Sequence, residues 1–122
     1  MMVVVQTQYM ENYGYSSGTE FWKPKGGYEY KITGVPEDAD QTKIFKAAIR
    51  LIEYTNPMSR EYVVGTVTEP DNYLSRFERD QLEFDGRIDF PEKVIPFEDI
   101  PYLLMAKNRD ENKMLEEIER AR

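Results

Sequence analysis

The chain contains no cysteine and no histidine. Without cysteine there is no disulfide, no thiolate nucleophile and no zinc site of the cysteine type. Without histidine, the commonest general base near neutral pH and the commonest metal ligand are both missing. Ser-His-Asp and Cys-His hydrolases, HxE-type deaminases and HExxH proteases are thereby excluded. No apolar run approaches the roughly 18 residues that span a bilayer, so no membrane contact of that kind is expected. The opening Met1-Met2-Val3-Val4-Val5-Gln6 has no basic region and too short an apolar run for a secretory signal. A cytoplasmic protein is the expectation. Neither GxxxxGK[ST] nor GxGxxG occurs.

What is present is ordinary for a globular chain. Of 122 residues, 40% are hydrophobic and 32% charged. This length favours a single domain over residues 1–122 with one core, and a folded surface of about 6,800 Å². The net charge of −7 is unevenly placed. Residues 1–60 hold 7 bases and 7 acids, whereas residues 61–122 hold 9 bases and 16 acids. This balance disfavours duplex nucleic acid, whose binders carry basic stripes. It allows a partner with a basic surface, and it also serves solubility alone.

Met2–Tyr9 reads as a strand, led by three β-branched valines. Glu11–Thr19 reads as a loop on its Gly, Ser and Asn content, and Pro24 with Gly26-Gly27 argues against regular structure over Phe21–Gly27. Tyr28–Thr33 alternates as a second strand, giving a long first hairpin. A helix over 40–54, capped by Asp40 or Asp38, carries Ile44, Phe45, Ala48, Ile49, Leu51 and Ile52 as one stripe. Glu61–Thr68 is a third strand. Tyr73–Asp80 reads as a short helix, and Gln81–Phe90 as a hairpin turning at Asp85-Gly86. Val94-Ile95 is an edge piece between prolines, and Ile100–Ala106 a compact turn or short helix. A terminal helix over 110–122, capped by Asp110, has Met114, Leu115 and Ile118 on one face. It packs on its own domain or pairs with a partner helix, which would make an oligomer. The order of elements predicts an α+β fold with a small, mostly antiparallel sheet.

The informative region is Tyr9–Tyr30, which holds seven of the 16 aromatics. The candidate binding residues are Tyr9, Glu11, Asn12, Tyr13, Tyr15, Trp22, Lys23, Lys25, Gly26 and Gly27. One reading is a nucleotide-like ligand: a base stacks on an aromatic ring while lysines and exposed backbone N–H groups meet phosphate. A second is a protein interface, where Tyr and Trp are favoured. A third is that the rings merely cover one end of the sheet. Glu11 and Asn12 make a polar network beside Tyr9 and Tyr13, or Asn12 simply supports a turn. Trp22 is expected to be partly exposed, with Phe21 as the core-facing anchor.

Gln8-Tyr9-x-Glu11-Asn12-Tyr13-Gly14, followed by Phe21-Trp22-Lys23-x-Lys25-Gly26-Gly27, resembles the opening of small uncharacterised proteins of tailed phages and mobile elements. Their pattern is T-Q-Y-x-E-N-Y, then Y/F-W-K-x-K-G-G, then a strand. The resemblance covers residues 3–33. It implies a small accessory protein acting in a bacterial host cytoplasm, of the kind that inhibits or redirects a host protein, including a defence protein. It implies no activity and no cofactor.

The acids Asp71, Asp80, Glu83, Asp85, Asp89 and Glu98-Asp99 have no spacing that marks a metal site or a catalytic carboxylate pair. A solvated acidic face is expected there, with no metal and no catalytic residue.

Overall fold

The computed structural model describes residues 1–16, 19–88 and 93–120. The β-branched run Val3-Val4-Val5 opens β1 (Met2–Ser16), the strand around which the sheet is built. β3 (Glu29–Thr33) pairs antiparallel on one side, with Val3 opposite Ile32. β5 (Ser59–Glu69) pairs antiparallel on the other, with Val3 opposite Thr68. The short β4 (Tyr54–Thr55) lies outside β5, and β6 (Val94–Pro96) runs parallel outside β3. The order is β4-β5-β1-β3-β6, and β2 (Thr19–Pro24) pairs with the far end of β1. The β1–β5 register slips between Gln6 and Thr7, leaving Val64 as the extra residue of a bulge.

Alternation sends Val3 and Val5 to one face of the sheet, with Ile32 beside them. There they meet Ile44, Ala48 and Ile52 of α1 (Gln41–Ile52) and Ile100 of α3 (Ile100–Arg120). Burying each large aliphatic side chain contributes about 1.5–3 kcal/mol, so this cluster is the principal source of stability. Asp40 caps α1 by accepting from the N–H groups of Thr42 and Lys43 at 3.0 and 3.4 Å. α3 is fastened to the end of α1: Arg50 donates to the Asn108 side chain, and Lys107 donates to the Arg50 carbonyl.

The opposite face presents Lys31 and Val4. Residues 71–74 line a cleft on this face, and α2 (Arg76–Asp85) is tied to it through Glu78. The buried Lys31 ammonium sits 2.7 Å from both carboxylate oxygens of Glu78 and donates to the Tyr73 carbonyl at 3.2 Å. Glu78 also closes a capping box with Ser75, so one side chain both starts α2 and fastens it to β3.

The fold is α+β: the described residues form three α-helices and a six-stranded sheet, antiparallel except at β3–β6. Four expectations need correction. The region 11–24 is not a loop. Its described residues are a strand pair, because Gly14 (φ 100°) falls in a bulge and Pro24 ends an edge strand, where a missing N–H costs no ladder bond. Gln81–Asp85 is helix rather than hairpin. Gly86, at φ 69°, is the left-handed cap of α2, and its N–H donates to Leu82; residues 89–90 lie outside the described ones. Asp110 does not cap a helix over 110–122. Ile100–Ala106 and the terminal stretch are one helix, α3, which crosses Asp110 without a break. Residues 121–122, and the side chains of Met114, Leu115 and Ile118, lie outside the described ones. Finally, Phe21 is 46% exposed and anchors no core. Among the described residues, no helix is long and apolar enough to cross a membrane.

Candidate functional site

The far half of β1 and all of β2 form a two-stranded arm that continues beyond β3. Cross-strand pairs are Met10–Pro24, Glu11–Lys23 and Asn12–Trp22, then Tyr15–Glu20 and Ser16–Thr19 past the bulge. After Pro24 the chain keeps bonding to β1. Lys25 N–H donates to Tyr9, Tyr9 N–H to Gly26, and Thr7 N–H to Tyr28, at 2.8–2.9 Å. Gly27 is needed here for its size: a Cβ would lie 2.2 Å from the Thr7 carbonyl oxygen. Gly26 and Gly27 therefore close the strand against β1.

Asn12 pins the arm. Its side-chain oxygen accepts from Gly14 N–H at 2.8 Å, the expected turn-supporting role. Its amide also donates to Pro57 at 3.0 Å, and its backbone N–H donates to Met58 at 2.9 Å. That 56–59 turn is itself held by Asn56, whose side-chain oxygen accepts from the N–H groups of Met58 and Ser59. Two polar side chains thus fix the base of the arm.

The two faces of the arm differ. On one, the half-buried Trp22 ring lies 3.7 Å under the Arg60 guanidinium, and its indole N–H donates to Glu20 at 2.8 Å. Trp22 is partly exposed, as expected. On the other, the ammonium groups of Lys23 and Lys25 lie 5.1 and 4.8 Å from the Tyr13 ring, whose hydroxyl donates to Glu11 at 3.3 Å. Of the expected Glu11–Asn12 network, the Tyr13–Glu11 hydrogen bond is present, whereas Asn12 bonds to Gly14 and Pro57 instead. Cations held over ring faces gain electrostatic attraction from the ring quadrupole. The Tyr15 side chain lies outside the described ones.

Below the Tyr13 face, the topology joins Tyr9, Tyr28 and Tyr30 of the aromatic region to Glu61 and Lys93, which sequence reading missed. Tyr9 and Tyr28 have ring centroids 6.1 Å apart. The Lys93 ammonium lies 3.1 Å from the Tyr28 ring centre and 5.3 Å from that of Tyr30. Tyr30 donates to the buried Glu61 carboxylate at 2.7 Å. Burial, reinforced by the Glu61 hydrogen bond and charge, pushes the Tyr30 phenol well above its ordinary value. Burial also raises Tyr9, against a hydrogen bond with Ser59 that lowers it. The clean alternation of Tyr28 and Tyr30 was the available signal; Glu61 and Lys93 arrive from distant elements and left none.

A cleft of about 290 Å³ lies on the α2 side, lined by Met2, Lys31, Thr33, Asp71, Tyr73 and Val94 among others. It shares no residue with the arm. Asp71 is engaged there with the N-terminal ammonium at 3.1 Å. Among the described residues, no three acidic side chains converge on a point that could hold a metal ion. No protein-family model, no curated protein and no solved structure matches this chain.

Proposed function

We propose that this chain is a non-enzymatic binding protein of a phage or mobile element that masks or redirects a bacterial host protein, with the aromatic arm as its contact surface. The observation that carries the reading is the arm itself. The two sequence blocks of the phage-like pattern lie side by side as its strands, with Glu11 opposite Lys23 and Asn12 opposite Trp22. Partly exposed Trp and Tyr rings, backed by Arg60, Lys23 and Lys25 and held on a pinned ribbon, have the composition of binding hot spots. Little rotamer freedom remains to be lost on binding.

The test separates binding from folding. Full-length protein immobilised in bacterial lysate should retain one stoichiometric partner. Trp22→Ala and Lys23→Glu should lose that partner while unfolding at nearly the native temperature. Retention of the same partner by both variants would remove the arm from the interface.

A second reading rests on the Tyr13–Lys23–Lys25 stack. A nucleotide base can take the ring face while its phosphates draw the two lysines. Millimolar nucleotides should then raise the melting temperature, since a ligand that binds only the folded state stabilises it. No shift with any nucleotide would leave the protein partner as the sole reading.

A further inference from the structure

β4 pairs only with Arg60 and Glu61 of β5. From Tyr62 to Glu69, β5 is bonded to β1 on one side, and among the described residues no strand lies on the other. Sheets usually blunt such an edge with charge, proline or a bulge. The bulge at Val64 does this at one end. Beyond it, Gly65–Glu69 pairs regularly with β1, and Tyr62–Thr68 holds neither charge nor proline. Val67 is 42% exposed although it sits in the middle of the run.

We infer that Gly65–Glu69 pairs antiparallel with the same run of a second copy of this chain, about a two-fold axis through Val67. A two-fold contact demands a self-complementary patch. In this register Val67 faces its counterpart, Thr66 faces Thr68, and Gly65 faces Glu69. The β1 pairing puts Thr66 and Thr68 on one face of the sheet and Gly65, Val67 and Glu69 on the other. Every proposed pair therefore shares a face. Threonine and valine pairs stabilise adjacent strands, and no like charges meet. Pro70 ends the ladder before it reaches the second copy's β4. The joined sheet carries α1 and α3 of both copies on the same face and leaves both arms free. The inference is independent of what the arm binds.

The experiment uses the full chain and two readouts. Sedimentation equilibrium should give twice the 14.4 kDa chain mass at micromolar to submillimolar concentration. Val67→Lys should weaken the dimer by about tenfold or more, since edge lysine blocks pairing, while its circular dichroism stays native. Val67→Cys supplies the sole cysteine of the chain. Directly opposed strand residues lie about 4.5–5.5 Å apart, within the span of about 4.4–6.8 Å that a disulfide bridges. Mild oxidation should therefore cross-link Val67→Cys, and should not cross-link Met105→Cys on the exposed side of α3. A monomeric native chain throughout that range overturns the inference. So does a dimer that tolerates Val67→Lys and cross-links through Met105→Cys, which would place the contact on the helix.

Discussion

At the scale of single residues, the structure concentrates its risk in the buried Lys31–Glu78 pair and in the half-buried Tyr30 phenol that donates to buried Glu61. Lys31 and Glu78 form a bidentate ion pair with side chains only 6% and 11% exposed. Removing one partner strands the other charge, which typically costs about 3–5 kcal/mol, whereas replacing both by apolar groups of similar volume is often neutral. Glu78→Gln should therefore lower the urea midpoint sharply, and adding Lys31→Met should recover most of the loss. An additive double variant would show that the pair makes no coupled contribution. Tyr30 is the second case. Its phenol is raised above the ordinary 10.0 by burial first and by Glu61 next. The fold thus favours the neutral phenol, and this contribution is complete below pH 10. It is lost as pH rises from there toward the folded value, because the unfolded chain ionises first. Stability measured by urea at pH 9 and pH 11 should fall between the two. The fall should be smaller in Tyr30→Phe, which has no proton to lose. An equal fall in both would assign the alkaline loss to other groups.

At the scale of elements, sequence pattern was a good guide where one physical effect dominated. α1 was legible because its stripe, its Asp40 cap and its length agree; it ends two residues early because Tyr54 is drawn into β4. The expected short helix over Tyr73–Asp80 matches the first half of α2, and its second half was taken for a hairpin because Asp85-Gly86 serves equally as a hairpin turn or a helix end. The deciding signal was Ser75-x-x-Glu78, a capping box that predicts a helix start. Ser75→Ala should lower stability by about 1 kcal/mol, read from the denaturation midpoint. A larger loss would mean that α2 detaches with its cap and releases Lys31. The arm was hidden by its composition. Asn, Gly, Ser and Pro look like loop residues, but here they sit at a bulge, at the strand end and against the 56–59 turn, where they cost the ladder little. The candidate residues were therefore found and their backbone was not. The tyrosine cluster was legible in Tyr9, Tyr28 and Tyr30 and illegible beyond them, because Glu61 and Lys93 are joined to it only by sheet order.

At the scale of the whole molecule, charge and shape make opposing demands that one variable can separate. Each chain carries a net −7, all of it beyond residue 60. Two copies joined through β5 must bring these like charges together, and the contact run offsets this only by being uncharged from Tyr62 to Thr68. A host partner with a basic surface that also meets the acidic second half experiences the reverse: the same field draws it in, while the arm itself presents Lys23, Lys25 and Arg60. Added salt screens both effects, since the Debye length shrinks from about 10 Å at 0.1 M to about 3 Å at 1 M. Self-association measured by sedimentation should therefore tighten as salt rises from low to high. Capture of the host partner should weaken over the same range. Val67→Lys should abolish the first response and leave the second intact, and Trp22→Ala should do the opposite. If salt moved both associations in the same direction, the net field would not govern them, and the local charges at the contacts, Lys23, Lys25 and Arg60 on the arm among them, would do so instead.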